Sequence, residues 1–89
     1  MTSSVNRLRV DQSLDTRGLP NPDNYHAAVK QLQGMADQDI LELHIDDGQA
    51  LEALPFALRA DGHEILVSEP ALQGVRLLVR KRSAIVEEK

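Results

Sequence analysis

Residues 14–24 read Leu14-Asp15-Thr16-Arg17-Gly18-Leu19-Pro20-Asn21-Pro22-Asp23-Asn24 and separate an alternating, strand-like stretch from one with helical periodicity. This position and composition predict that the chain turns here from a strand into a helix, and we call residues 14–24 the elbow. The first N–H groups of a helix lack backbone partners and carry partial positive charge. Such an elbow is a natural place for an anion, a thiolate or a reactive group. This one contains no side chain that can react.

The elbow resembles the opening motif of the TusA/SirA-like sulfur carriers, which is Leu-Asp-x-x-Gly-Leu-x-Cys-Pro-x-Pro. The residues that match this motif are Leu14, Asp15, Gly18, Leu19 and Pro22. Asn21 stands where the family has the cysteine that carries a persulfide. Asn24 stands where the family has its second proline. The resemblance therefore implies a sulfur-relay scaffold whose sulfur-bearing residue is absent.

Later motifs extend the resemblance over roughly residues 8–82 without a gap. Asp46-Asp47 is similar to the family's paired aspartates after the second strand, and Leu54-Pro55 to its Ile-Pro at the second helix. Gly62-His63-Glu64 and Arg80-Lys81 match its Gly-His-Glu and its terminal Arg-Lys. The family fold implies the strand order 1-2-4-3, with the last strand antiparallel to the others.

Composition places further bounds on the chain. The 89 residues suffice for one domain, and with one Tyr, one Phe and no Trp its core must be aliphatic. The net charge of −4 argues against wholesale nucleic-acid binding, although a local basic patch is compatible with it. The absence of cysteine removes disulfides, thiolate metal sites and thiol nucleophiles together.

From the sequence we expect neither a signal peptide nor a membrane span. Residues 1–6 are polar and contain no apolar run, and no stretch approaches the ~20 apolar residues of a membrane span. We expect a protein of the cytoplasm. Residues 1–6 are predicted to be disordered, residues 7–82 to form the TusA/SirA-like domain, and residues 83–89 to be a flexible tail.

Periodicity predicts an α+β fold with the element order β-α-β-α-β-β. Strands are predicted over 7–14, 40–46, 63–69 and 75–82, and helices over 23–33 and 50–60. Two helices should cover one face of a four-stranded mixed sheet, which is a two-layer sandwich, while the other face meets solvent. The short turn at 70–74 predicts an antiparallel hairpin of the last two strands.

Alternation assigns side chains to the two faces of the sheet. The residues predicted to point into the core are Leu8, Val10, Leu14, Leu41, Leu43, Ile45, Ile65, Val67, Val75, Leu77 and Val79. Leu66 and Leu78 are predicted to point outward, where they could seed a dimer or partner contact. Leu51, Leu54 and Leu58 should share one face of the second helix.

Local residue types predict how each of the two helices begins. Asn21 or Asp23 can serve as the N-cap of the first helix, with Pro22 in its first position. Pro55 interrupts the second helical stretch, so we expect either a loose turn before a helix that starts there, or a kinked helix.

No catalytic residue, cofactor or metal site is predicted. An amide cannot hold a persulfide, because only a thiolate sulfur performs that attack. Asp46-Asp47 is better explained as a turn and helix start than as a Mg²⁺ site. The three histidines are scattered, without the converging ligands that zinc requires. The residues predicted to form a binding site at the elbow are Asp15, Arg17, Gly18, Leu19, Asn21 and Pro22.

Arginines at both ends of the predicted domain suggest a basic surface. The residues concerned are Arg7, Arg9, Arg76 and Arg80. They could contact RNA or an acidic partner, but interleaved aromatic residues for base stacking are missing, which weakens the RNA interpretation.

Three functions remain open from the sequence. The first is a non-catalytic protein-binding or regulatory module related to sulfur transfer. The second is a family member that assists sulfur relay by using a partner's cysteine, and the third is a small RNA-binding domain. A protein partner is expected in the first two cases, and the chain itself should be a monomer or a weak homodimer.

Overall fold

The structure, a computed structural model, describes residues 9–83, and within them the element order is β-α-β-α-β-β. The elements are β1 (Gln12–Asp15), α1 (Asp23–Gln33), β2 (Ile40–Ile45), α2 (Gln49–Ala60), β3 (Glu64–Ala71) and β4 (Gly74–Arg80). The described strands form one sheet in the order β1-β2-β4-β3. β1 is parallel to β2, and β4 is antiparallel to both of its neighbours. The predicted fold class and strand order are confirmed; predictions for residues 1–8 and 84–89, including Arg7 and Leu8, lie outside the described residues.

The core is aliphatic and lies between the sheet and the helices. The inward side chains of β2 and β4 are the most deeply buried, as alternation predicted for Leu41, Leu43, Ile45, Leu77 and Val79. The helices contribute Ala28, Leu32, Leu54 and Leu58 to the same cluster. Each fully buried leucine stabilises the fold by roughly 1.5–3 kcal/mol, so this layer supplies most of the stabilisation.

β1 is shorter than predicted and begins at Gln12. Val10, which was predicted to point inward, is 38% exposed. The reason is that the partner strand β2 starts only at Ile40, which contacts Asp11. The Ile40 N–H donates to the Asp11 carboxylate at 2.8 Å, and the Asp11 N–H donates to the Ile40 carbonyl at 2.9 Å. β2 has no residue before Ile40 with which Val10 could pair. Leu14 packs against the core as predicted.

α1 has the predicted bounds but a different start. Pro22, not Asn21 or Asp23, is the N-cap residue, and no side-chain oxygen caps the helix from that position. Asn24 N–H donates to the Pro20 carbonyl, and Tyr25 N–H donates to the Asn24 side-chain oxygen at 2.7 Å. A proline at the N-cap has no side-chain acceptor, so the Asn24 amide inside the first turn takes over part of that role.

α2 is one helix that starts at Gln49, so the predicted loose turn before Pro55 is wrong. Pro55 cannot donate to the carbonyl of Leu51, yet its ring is buried beside Leu54. This apolar burial offsets the missing hydrogen bond. Leu51, predicted to share the buried face, is 36% exposed, and Ala50 packs against the core instead.

A bulge in β3 reverses the predicted orientation of one side chain. Ile65 pairs with Val79 on the inner face, but Val67 pairs with Leu78, so the register shifts between Ile65 and Val67. One extra residue in a strand exchanges the two faces beyond it. Val67 therefore lies on the outer face, where Leu78 is only 3% exposed. The predicted pair of exposed leucines does not exist, because Leu78 is buried and Leu66 is half-buried.

β3 and β4 form the predicted antiparallel hairpin, but its turn is only Leu72-Gln73. Pro70 lies within β3, which is an edge strand and so tolerates a residue without an N–H group. Gly74 has φ +150°, and a Cβ there would lie 2.3 Å from the Ile45 carbonyl oxygen. Glycine is therefore required where the hairpin meets the end of β2.

Replacement of Gly74 by alanine should destabilise the protein by roughly 2–3 kcal/mol, because the methyl group overlaps backbone that cannot move aside. Gly62→Ala is the matched control, since Gly62 also has positive φ, at +100°, but open space around it. The Gly62→Ala substitution should lower the free energy of unfolding by only about 1 kcal/mol, because only the backbone conformation becomes unfavourable. Chemical unfolding measures both changes; equal losses would contradict the steric explanation.

Candidate binding site

The elbow is fixed to the end of β2 by hydrogen bonds. Thr16 donates to the His44 carbonyl twice, from its N–H at 2.8 Å and from its hydroxyl at 3.0 Å, and its side chain is 1% exposed. Gly18 N–H donates to the Asp46 carboxylate at 2.9 Å, with Gly18 at φ +89°. Thr16 was not among the residues predicted from the sequence, although a small β-branched hydroxyl residue directly after a strand was a usable signal.

Arg17 connects the elbow to the β3–β4 turn. Its guanidinium donates to both oxygens of Asp15, at 2.9 and 2.7 Å, and to the Leu72 carbonyl at 3.0 Å. The Asp15 carboxylate also accepts the Arg17 N–H at 3.0 Å. These hydrogen bonds from Arg17, above all those from its side chain, hold the pKa of Asp15 well below its usual range. Arg17 thus links the elbow to the β3–β4 turn, and the Asp15 carboxylate neutralises its charge.

A cavity of about 190 Å³ opens beside the elbow, where the first turns of α1 and α2 approach the end of β2. The residues that line it are Leu19, Pro20, Asn21, Asn24, Asp46, Asp47, Gln49 and Ala50. Of the predicted binding residues, Leu19 and Asn21 line this cavity. Asp15, Arg17, Gly18 and Pro22 are not among its lining residues, so the predicted set divides into residues that line the cavity and residues that do not.

Asn24 is one of six lining residues outside the predicted binding set, and it is the buried one among them. Its side chain is only 3% exposed, and its Nδ2 group has no hydrogen-bond partner within residues 9–83. A buried amide of this kind normally finds a partner. The signal for its burial was present in the sequence, because Asn24, Ala28 and Leu32 recur at spacings of four on one helix face.

The outer face of the sheet carries matched charges. Arg76 contacts Glu42 at 2.5 Å and Glu69 at 2.7 Å, and Arg80 contacts Glu64 at 3.0 Å. Arg9 likewise contacts Asp11 at 3.0 Å. The arginines predicted to form a basic surface therefore alternate with carboxylates wherever the structure describes them. Such a face has little net charge to attract a phosphate backbone.

A second cavity of about 330 Å³ lies between α1 and the residues that follow α2. The residues that line it are Tyr25, Val29, Leu32, Gln33, Asp61, His63 and Lys81. Burial lowers the pKa of His63, and the ring nitrogen Nδ1 accepts the Arg82 N–H at 3.1 Å. The Tyr25 hydroxyl donates to Asp61 at 2.5 Å. Most polar groups of this cavity thus already have partners.

Within residues 9–83, no group of three or more His, Asp or Glu side chains converges as a metal site would require. In that part of the chain, no helix is long and apolar enough to cross a membrane.

Comparison with known protein families gives one match to most of the chain. A family model described as Sulfurtransferase TusA matches residues 12–81. The matched residues begin with β1 and end directly after β4, so they include the elbow and both cavities. The whole described sheet and both helices thus fall within one family domain.

The titration of Asp15 tests the tie between Asp15 and Arg17. The pKa of Asp15 is lower in the folded protein than in the unfolded chain. The contact with Arg17 therefore stabilises the fold fully above the unfolded pKa of about 3.9, and this contribution disappears as the pH falls towards the pKa of Asp15 in the folded protein. NMR titration of the carboxyl group should give a midpoint clearly below about 3.9, and Arg17→Gln should return it towards that value. A midpoint that Arg17→Gln leaves unchanged would contradict the contact.

Proposed function

We propose that this chain, which belongs to the sulfurtransferase TusA family, is a non-catalytic protein-binding or regulatory module of a sulfur-relay system. Proteins of the family interact with partners in sulfur relay. The observation that carries the proposal is Asn21: an amide occupies the elbow position where the resemblance places the persulfide cysteine, on an otherwise complete scaffold.

Sulfur chemistry explains why the chain cannot carry sulfur alone. Persulfide transfer requires a thiolate that attacks the donor sulfur and then holds the sulfane sulfur covalently. None of the 89 residues is cysteine. A complete domain without this group can still bind the proteins that recognise its surface, and binding is the function that this arrangement supports best.

Exposed apolar side chains at the elbow support a protein partner. Leu19 is 40% exposed beside the cavity, and Leu72 is 85% exposed on the turn that Arg17 holds. Large apolar side chains on a fixed surface gain free energy when a partner covers them. The matched charges of the outer sheet face favour this protein-binding interpretation over the RNA-binding one.

Assistance to a partner's cysteine is the second candidate, since the cavity at the elbow lies where the family's sulfur would be presented. In this case the chain would accelerate sulfur transfer from a persulfide donor to the partner, although it carries no sulfur itself. Location in the cytoplasm and the monomeric or weakly dimeric state stay predictions from the sequence.

Affinity capture with matched variants tests the location of the binding surface. Leu19→Asp should reduce recovery of a specific partner about tenfold or more, because it places a charge in the apolar contact. Phe56→Asp makes the same change at another exposed apolar residue, 73% exposed on α2, and should leave recovery unchanged. Loss of partners with Phe56→Asp but not with Leu19→Asp would place the surface elsewhere.

Mass spectrometry after incubation with a persulfide donor tests the absence of catalysis. The native chain should gain no sulfur, whereas Asn21→Cys should gain sulfur in a form that a thiol reductant removes. Phe56→Cys is the control and should gain little removable sulfur, because it presents an exposed thiol in the second half of α2, away from both helix starts. Covalently bound sulfane sulfur on the native chain would overturn the proposal.

A further inference from the structure

We infer that the elbow cavity receives the carboxamide side chain of a glutamine or asparagine from the partner protein, next to a lysine or arginine of the same segment. This inference rests on the proposed function, because it specifies the chemistry of the partner at the same site. It is drawn from the polar groups of the cavity that have no partner within residues 9–83.

The cavity offers hydrogen-bond donors. The Nδ2 group of Asn24 is buried and has no partner among residues 9–83. The N–H groups of Gln49 and Ala50, at the start of the 12-residue helix α2, also make no hydrogen bond within that range. A group that enters the cavity must therefore bring an acceptor oxygen, or it leaves the buried amide unsatisfied.

The cavity also offers acceptors, and they carry negative charge. Asp46 uses one oxygen for the Gly18 N–H, and Asp47 makes no hydrogen bond or ion pair within the described residues. A carboxylate ligand would face two like charges, and an ammonium group would bring no acceptor for Asn24. A carboxamide has an oxygen for the Asn24 side and an NH₂ group for the aspartates, so one group satisfies both.

The size of the cavity favours a side chain over a free metabolite. Its volume of about 190 Å³ lies below the roughly 300–1,000 Å³ of typical small-molecule pockets. Acidic residues at the two helix starts, Asp23, Asp47 and Glu52, make no ion pair within residues 9–83. A cation adjacent to the carboxamide would be attracted by Asp47, which lines the cavity, and by the acidic residues in the first turns of both helices.

NMR titration of the full chain with short capped peptides tests the inference. The probes are acetylated tripeptide N-methylamides: Lys-Gln-Lys, Lys-Leu-Lys, Lys-Glu-Lys and Glu-Gln-Glu. Lys-Gln-Lys should shift the side-chain amide signal of Asn24 and bind about tenfold more tightly than each of the other three. Equal affinity for the Gln and Leu peptides, or no shift at Asn24 with any peptide, would overturn the inference.

Two protein variants separate the contributions of the Asn24 amide and the Asp47 carboxylate to peptide binding. Asn24→Leu should abolish the preference for Gln over Leu, and Asp47→Asn should weaken Lys-Gln-Lys severalfold. Asp37→Asn, in the loop after α1, is the control and should change neither. If Asn24→Leu does not fold, the peptide series on the native chain still decides. A partner that depends on Leu19 while the peptides show no Gln preference would refute this inference and leave the proposed function standing.

Discussion

The attachment of the elbow to the end of β2 is the constraint on which the site depends. The His44 carbonyl accepts both hydrogen bonds from Thr16, while Asp46 accepts one from Gly18. On the other side of the same strand end, Gly74 allows the hairpin to lie against the Ile45 carbonyl. These contacts bring two helix starts, a strand end and a turn together. They also hold the exposed elbow loop in one position against β2 and the hairpin.

Charge is distributed unequally over the molecule. On the outer face of the sheet, arginines and glutamates alternate and neutralise one another. At the helix starts beside the elbow, the carboxylates of Asp23, Asp47 and Glu52 have no such cations among the described residues. The net charge of −4 therefore understates how acidic one end of the protein is. A partner would be guided to this end by electrostatic attraction.

Two asparagines lie within a stretch of four residues of the elbow. Where the resemblance places a cysteine and a proline, this chain has Asn21 and Asn24, and both line one cavity. Two amides can recognise a polar group but cannot bond covalently to sulfur. The aliphatic cluster between sheet and helices includes neither residue, although Asn24 is buried on the same face of α1 as Ala28 and Leu32.

The sequence by itself determined the element order, the elbow, the inward residues of β2 and β4 and the absence of thiol chemistry, because these follow from local periodicity and residue chemistry. It did not reveal the bulge that moves Val67 to the outer face, since a bulge depends on which strand lies opposite. It also did not reveal the ion pairs of Arg76, or that Asn24 is buried with an Nδ2 group that has no partner within residues 9–83. Burial and pairing are decided by residues distant in sequence, so only the tertiary structure could assign them.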